Sequence, residues 1–244
     1  MPAAARPLAA ALFVASLALA GCQDRETQAA AQAQAQAAAA EQQAIAGERD
    51  FEAAVAAENW ALAKAQADVL LSRHPYTEAA GRVRAKFDEV RRRGDAVREQ
   101  ARTAALWSYD TRPADGGQQV SAAIYARDPV DVDGRGAKPV RLIFRDHPSW
   151  GRSSYLVLEA GDFDCYPSCR VEVAIDDAAP RRMAANRPQT DEAIAMFIDD
   201  EKALWRLLDG AKTVSIVFPV EAGGTRTVVF EVAGLDRARM PGWE

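Results

Sequence analysis

The spacing of apolar residues changes at Leu106, and this change constrains the fold of the 244-residue chain more than any other feature. Before Leu106 apolar residues recur every three or four positions, as in helices that bury one face. After it they recur every second position, as in strands with one buried face. We therefore predict an α+β chain, with a helical segment over residues 48–105 and a β-domain over residues 106–244.

The helical segment is predicted to form a helical hairpin followed by a long helix. The second helix should end at His74, because a residue that precedes proline is disfavoured in the α region. Thr77 is suited to cap the third helix. The predicted bounds are 48–58 for the first helix, a corner at Asn59, 60–73 for the second helix, and 78 to about 105 for the third.

The third helix carries an apolar seam beside a run of arginines. Apolar residues at spacings of four and three are typical of a seam that packs against another helix. The seam could instead be filled by the first two helices or by a second copy of the chain, and the arginines could form ion pairs along a solvated helix face. The predicted partner-binding surface consists of Val83, Phe87, Val90, Arg91, Arg92 and Arg93.

The order helix, corner, helix, proline resembles a tetratricopeptide-type unit. Ala63 and Pro75 stand at the spacing that this repeat uses. The first helix lacks the tryptophan and tyrosine of the repeat, and no second copy follows. The resemblance covers residues 48–105 and implies one repeat-like hairpin, since a solenoid needs about three repeats.

The N-terminus has the features of an export signal. Arg6 precedes an apolar run over residues 8–20, and Ala20 and Gly21 are small enough for a signal peptidase. The run is shorter than the ~20 apolar residues that cross a bilayer. Residues 1–21 are therefore predicted to be a signal peptide rather than a membrane span.

A cysteine directly follows these small residues. Leu19, Ala20, Gly21 and Cys22 resemble the lipobox of bacterial lipoproteins. The resemblance implies a lipid on Cys22 and a cell-envelope location, facing the periplasm from the outer membrane because Gln23 rather than aspartate comes next. The alternative is an ordinary secretory signal with an incidental cysteine. Residues 22–47 are mostly alanine and glutamine, so we predict a lipid anchor followed by a partly helical tether.

The β-domain is predicted to be an antiparallel β-sandwich or partly open barrel with one short helix over residues 199–208. With Cys22 lipidated, Cys165 and Cys169 remain as an even pair in an oxidising compartment, which predicts a disulfide. Two cysteines without a second cluster do not make a zinc site. The predicted strands are 120–125, 140–145, 155–158, 170–176, 214–218 and 228–232.

The segment around the two cysteines resembles exported proteins of the invasion-associated locus B type and secretion-accessory lipoproteins. The resemblance lies in a Phe-x-Cys step at Phe163, a second cysteine before a strand that ends at Asp176 and Asp177, an opening Trp107 strand, and a closing Gly-Leu step. It covers at most residues 106–236. It implies a β-sandwich without known catalytic residues.

Motifs for catalysis are absent from the sequence, so we predict no enzyme, catalytic residue, metal or cofactor. Both histidines, His74 and His147, precede prolines, and no nucleophile elbow or phosphate loop occurs. The net charge of −5 argues against nucleic acid. Two acidic pairs, Asp176 with Asp177 and Asp199 with Asp200, could bind calcium, but turn and cap roles are commoner.

These features predict a non-enzymatic, lipid-anchored envelope protein that acts as a protein-interaction or assembly accessory. Its partners would be the membrane, through the N-terminal lipid, and an envelope protein. The alternative is an envelope module that uses the β-sandwich to bind a glycan, a lipid or a small molecule. A deep pocket would favour the alternative, whereas a filled core with an exposed edge would favour the interaction. The aromatic residues of the β-domain, Trp107, Tyr109, Trp150, Tyr155 and Trp205, could line a ligand groove or pack in the core.

Overall fold

The computed structural model describes residues 15–189 and 194–243, with side chains from residue 25 onward. The chain forms two compact units, a helical unit up to Val97 and a β unit from Arg98. The predicted boundary lay at Leu106, so the last two turns of the third helix belong to the β unit. The α+β fold class is confirmed.

The helical unit contains three helices, α1 (Ala15–Ala56), α2 (Trp60–Arg73) and most of α3 (Glu78–Ala104). The bounds of α2 match the prediction, and those of α3 match it within one residue. Thr77 caps α3 as predicted, because its hydroxyl accepts a hydrogen bond from the Ala80 N–H at 3.2 Å. Glu41 adds a second cap, since its carboxylate accepts hydrogen bonds from the Glu78 and Ala79 N–H groups at 2.8 and 3.0 Å.

The first helix begins far earlier than the predicted residue 48. The described part of the alanine- and glutamine-rich tether is helical and continuous with the packed part of α1. Extending an existing helix requires no new nucleation, and alanine and glutamine favour it. Gly47 is not a boundary, because it lies inside α1. A Cβ at this position would lie 2.7 Å from Leu70 Cδ1 of α2. This glycine lets α2 approach α1 closely.

The corner between α1 and α2 is a Schellman motif. Glu58 has a φ of 52°, in the left-handed region that glycine usually occupies. The Asn59 N–H donates to the Ala54 carbonyl at 2.9 Å, and the Glu58 N–H donates to the Val55 carbonyl at 3.0 Å. The Asn59 side chain then caps α2 through the Leu62 N–H, so the predicted corner at Asn59 is confirmed.

Small residues dominate the core of the helical unit. Gly94 is one of them, because a Cβ there would lie 2.9 Å from the Trp60 carbonyl oxygen. Two ion pairs join α1 to α3 at the surface, Glu48 with Arg82 and Glu52 with Lys86, each at 2.6 Å. The buried core residues are Ala44, Phe51, Ala54, Ala63, Ala67, Leu70, Ala79, Ala80, Val83 and Val90.

Two of the six predicted partner-binding residues are therefore core residues. Val83 and Val90 are 0% and 2% exposed, so they have no surface to offer a partner. The seam is filled by the chain's own helices, which was the alternative interpretation. Val83 and Val90 are therefore not part of a partner-binding surface, contrary to the prediction.

Val90→Asp should unfold the helical unit, because it places an unpaired carboxylate in an apolar core at a cost of about 3 kcal/mol or more. Val97→Asp is the matched control on the same helix, since Val97 is 43% exposed. Denaturant unfolding followed by far-ultraviolet circular dichroism will compare them. Equal losses of stability in both variants would contradict the assignment of Val90 to the core.

The β unit is built on one nine-stranded antiparallel sheet with the order β1-β2-β3-β4-β7-β6-β5-β8-β9. The end strands β1 and β9 do not pair with each other, so the sheet is curled but not closed. Arg127, in the loop after β2, donates its backbone N–H to the Val229 carbonyl of β9 at 2.7 Å. The strands are β1 (Trp107–Ala114), β2 (Gly117–Tyr125), β3 (Val140–His147), β4 (Gly151–Leu158), β5 (Cys169–Ile175), β6 (Arg181–Asn186), β7 (Ala195–Ile198), β8 (Thr213–Pro219) and β9 (Thr225–Glu231).

All nine strands contribute to one core, which large aromatic residues fill. The Phe144 ring meets the edges of Trp205 and Trp243, with ring centroids 5.0 and 5.5 Å apart. Trp205 lies on the short helix α4 (Glu201–Leu207), which confirms the helix predicted there. Sequence analysis did not predict β6, β7 or the burial of Trp243 near the C-terminus.

The last turn of α3 packs within the β unit. A Cβ at Gly234 would lie 2.1 Å from the Ala104 backbone nitrogen, so only glycine permits this approach. Arg102 forms ion pairs with Glu99 at 2.7 Å and with Glu231 at 2.6 Å. These contacts explain why the unit begins before the first strand.

Candidate functional site

The outward side of β2, β3, β4 and β7 is unusually apolar. Leu142 and Phe144 face the core, so Ile143 between them faces outward. Cross-strand pairing places Ala123, Ile143, Tyr155 and Phe197 in one row across these four strands. Ala123 is 5% exposed although it lies on this outward side. This part of the sheet therefore carries apolar side chains on both faces.

Two arginines on β3 flank Ile143 on the same face. The Arg141 guanidinium carbon lies 5.1 Å from the Tyr125 ring centroid. That of Arg145 lies 5.4 Å from the Trp150 ring and 5.3 Å from the Tyr155 ring. These contacts hold each guanidinium against an aromatic surface, and each is worth about 0.5–2 kcal/mol.

Neither arginine is neutralised within the part of the chain that the structure describes. No carboxylate forms an ion pair with Arg141 or Arg145 there, and their buried Nε atoms make no hydrogen bond. The buried Ser153 Oγ, across the strand pair from Arg145, is also without a hydrogen bond. A buried polar group left without a hydrogen bond costs about 1–3 kcal/mol. These two guanidinium groups are therefore held on this face without a carboxylate partner among the described residues.

We call this surface the arginine–aromatic face. It combines large exposed rings, such as Trp150 at 70% and Tyr125 at 51% exposure, with two fixed cations. Aromatic residues and arginine are the residue types most enriched at protein interfaces. Its members are Tyr125, Arg141, Ile143, Arg145, Trp150, Tyr155 and Phe197.

Sequence analysis predicted strands with one buried face and did not single out Arg141 or Arg145. The signal that it missed is Ile143, an apolar residue at an outward position between them. Of the aromatic residues singled out, Trp150 and Tyr155 lie on the face, whereas Trp107 and Trp205 are buried in the core. Some of these aromatic residues therefore lie on the surface and others pack in the core.

His147 supports the turn beside this face. Its Nδ1 accepts a hydrogen bond from the Ser149 N–H at 3.1 Å. Its ring stacks on Trp150, with ring centroids 4.0 Å apart and planes 13° from parallel. His74 ends α2, where its backbone N–H donates to the Leu70 carbonyl at 2.9 Å. In both places the histidine takes part in local structure.

The predicted disulfide between Cys165 and Cys169 is present, with the two Sγ atoms 1.99 Å apart. Tyr166, between the two cysteines, is 61% exposed. The predicted lipidation site, Cys22, lies outside the residues whose side chains are described. Residues 1–14 of the predicted signal peptide also lie outside the described residues.

Three of the four residues in the two acidic pairs, Asp176, Asp199 and Asp200, make turn or cap hydrogen bonds. Asp200 caps α4 by accepting the Ala203 N–H at 2.9 Å, and Asp199 accepts from the Asn186 side chain at 2.5 Å. Asp176 Oδ1 accepts the N–H groups of Lys212 and Thr213 at 3.0 and 2.8 Å. Among the described residues, no group of three or more histidine, cysteine or acidic side chains is arranged to hold a metal ion.

Asp176 should make the β unit sensitive to acid. Hydrogen bonds to its carboxylate, first from the Thr213 N–H and then from Lys212 and the Thr213 hydroxyl, hold its pKa below the ordinary value. A lowered folded-state pKa adds stability above the unfolded pKa of about 3.9, and this stability is lost as pH falls through the folded pKa. Asp176→Asn should therefore lower the melting temperature near neutral pH, by an amount that shrinks as pH falls below about 4.

The matched control for this substitution is Asp177→Asn, because the exposed Asp177 side chain has no hydrogen bond among the described residues. Asparagine also tolerates the left-handed φ of 49° at Asp176, so the variant tests the charge rather than the backbone. Melting curves recorded by near-ultraviolet circular dichroism at several pH values provide the measurement. A difference from wild type that does not change with pH would refute the role of the Asp176 carboxylate.

The remaining predicted partner-binding residues lie on the exposed side of α3. Arg91 pairs with Asp88 at 2.9 Å, and Arg92 and Arg93 both pair with Glu89, Arg93 at 2.6 Å. The Arg93 guanidinium also lies 4.4 Å from the Trp60 ring centroid. Phe87 is partly buried, with the Arg91 guanidinium 5.7 Å from its ring. These cations are neutralised along their own helix, unlike those of the arginine–aromatic face, and a docking role for them stays a prediction.

Comparisons with known proteins add one weak similarity. No protein-family model matches the chain, and no curated protein matches it significantly. Among solved structures, the chain is similar to the crystal structure of invasion associated protein B from Bartonella henselae, with 12% sequence identity and a TM-score of 0.36. The similarity covers 53% of this chain and 85% of that chain. The predicted resemblance to that protein type is thus matched weakly, while the lipobox and tetratricopeptide resemblances stay predictions.

None of the helices in the described part of the chain is both long enough and apolar enough to cross a membrane.

Proposed function

We propose that the protein is a lipid-anchored cell-envelope protein that acts as a non-enzymatic interaction accessory. In this proposal the lipid on Cys22 holds the chain at the membrane, and the arginine–aromatic face binds an acidic, partly apolar segment of an envelope protein. The observation that carries the proposal is that Arg141 and Arg145 are fixed against aromatic rings without a carboxylate partner among the described residues.

Charge complementarity identifies the chemistry of the partner. Guanidinium groups bind carboxylates through paired, planar hydrogen bonds, and such bonds strengthen where water is excluded. The apolar row through Ile143, Tyr155 and Phe197 would exclude water around those bonds. A partner that suits this face therefore presents carboxylates beside apolar side chains.

The packing of the β unit supports an interaction surface over an internal ligand site. The space enclosed by the sheet is filled by large side chains, including Phe144, Trp205 and Trp243, each less than 2% exposed. Ligand sites of the usual kind are concave cavities lined by apolar residues. The filled core thus favours docking on the outside of the sheet over binding inside it.

Cys22→Ser should move the protein from the membrane fraction to the soluble fraction, because the thiol is the proposed attachment point of the lipid. The measurement is fractionation of cells that express each form, followed by a high-salt wash of the membranes. Cys165→Ser with Cys169→Ser is the control, since these cysteines form the internal disulfide and should leave the membrane fraction unchanged. Recovery of Cys22→Ser protein in the washed membranes would contradict the anchor.

Arg141→Glu with Arg145→Glu should abolish docking of the partner at this face. A photo-crosslinking residue at Trp150 reports docking in intact cells, and mass spectrometry identifies the partner segment. The expected result is an adduct on a carboxylate-bearing segment that the double variant loses. A partner variant in which those carboxylates become arginine should restore the adduct with the double variant, because the charges are then exchanged.

Arg170→Glu is the matched control, because Arg170 is exposed on β5 and outside the arginine–aromatic face. It should keep the adduct, and all variants should melt within a few degrees of wild type. An adduct that survives the double charge reversal would overturn the proposal. An adduct formed with lipid or lipopolysaccharide instead of protein would overturn it as well.

A further inference from the structure

The sheet contains an open strand edge between β6 and β7. On one side β6 pairs with β5 over its length, from Val173↔Arg181 to Cys169↔Ala185. On the other side it pairs with β7 only at Ala185↔Ile198 and Asn186↔Phe197. One further hydrogen bond joins the Asp199 N–H to the Ala184 carbonyl at 3.0 Å, and the chain then turns into α4. Among the described residues, Arg181, Arg182 and Met183 therefore have a strand neighbour on the β5 side alone.

A groove of about 760 Å³ lies between this open edge and α4. Met183 lies on the edge side, and Ala203 and Leu207 lie on the helix side. Ala203 and Leu207 are only partly buried, so apolar surface remains in the groove. The groove is open to solvent and borders the edge of β6, so an extended chain can lie along it.

Three arginines, Arg181, Arg182 and Arg206, line the same groove. The guanidinium groups of Arg181 and Arg206 form no hydrogen bond or ion pair among the described residues, and Arg182 has only a long contact of 3.4 Å with Glu172. The two acidic residues there are already engaged, Asp199 with Asn186 and Asp200 as the cap of α4. The groove therefore contains arginines without close ion-pair partners among the described residues, although the net charge of the chain is −5.

The geometry points to a second binding site: the β6–α4 groove takes an extended acidic peptide segment that adds as a strand to the open edge of β6. Backbone hydrogen bonds to β6 supply the attachment. Alternate side chains of an extended strand point to the same side, so acidic residues at every second position reach Arg181 and Arg206 together.

The arginines also determine which strands are rejected. An open strand edge invites pairing with any exposed strand, including that of a second copy of the chain. Two copies of this edge would bring Arg181 and Arg182 against their own counterparts, and like charges placed together oppose association. A strand that carries carboxylates is attracted instead. Backbone pairing does not distinguish one strand from another, so the charge of the side chains selects the partner.

The test uses a fluorescent peptide in which glutamate alternates with valine, with binding to the purified protein measured by anisotropy. Arg181→Glu with Arg206→Glu should weaken binding by at least about tenfold, because two charge-assisted contacts become repulsive. The same peptide with glutamine in place of glutamate should bind weakly. A peptide that is N-methylated at alternate residues should lose binding, since methylation removes the N–H donors of one edge.

Arg135→Glu is the matched control, because Arg135 is exposed in the loop between β2 and β3 and has no side-chain ion pair among the described residues. It should bind the peptide like wild type. Absence of binding by the acidic peptide, full binding by the N-methylated peptide, or equal weakening by Arg135→Glu would each overturn the site. Loss of binding in Arg145→Glu instead would assign the peptide to the arginine–aromatic face and also overturn it.

Discussion

The edge-on packing of Phe144 against Trp205 and Trp243 is the contact on which the β unit depends. It joins the middle of the sheet to the short helix α4 and to the C-terminal residues, three parts of the chain that are distant in sequence. Buried aromatic residues contribute large apolar areas, and edge-to-face pairs add about 0.5–1.5 kcal/mol each. Because α4 is held there, β7 must leave the sheet after Ile198 to reach it, and this departure opens the edge of β6.

The two candidate sites share one property of the sheet: several of its arginines have no carboxylate partner among the described residues. In the described part of the helical unit, four arginines have a carboxylate within ion-pair distance, for example Arg82 with Glu48 and Arg93 with Glu89. On the sheet, Arg141 and Arg145 instead lie against aromatic rings. A guanidinium that is oriented by a ring but not neutralised has lost conformational freedom in advance, so a carboxylate that binds it meets a smaller entropy cost.

Small residues give the helical unit its close packing. Gly47 and Gly94 lie where a side chain would collide with α2, and alanines supply most of the remaining contacts. Such a core buries little apolar area for each residue. Its few large side chains, with Phe51 the largest, therefore carry much of the stability. The same composition makes an alanine- and glutamine-rich tether continue as a helix from the packed part of α1.

Local chemistry in the sequence determined the α+β class, the bounds of α2 and α3, the Thr77 cap, the Asn59 corner and the disulfide between Cys165 and Cys169. Each of these depends on periodicity, capping or a short loop, which act over a few residues. Tertiary structure alone decided that neighbouring helices cover Val83 and Val90. It also decided that Ile143 lies in an apolar row on the outward side of the sheet and that β6 has an open edge. The reason is that strand partners and helix contacts come from distant parts of the chain, and no local pattern in β6 records which strand lies beside it.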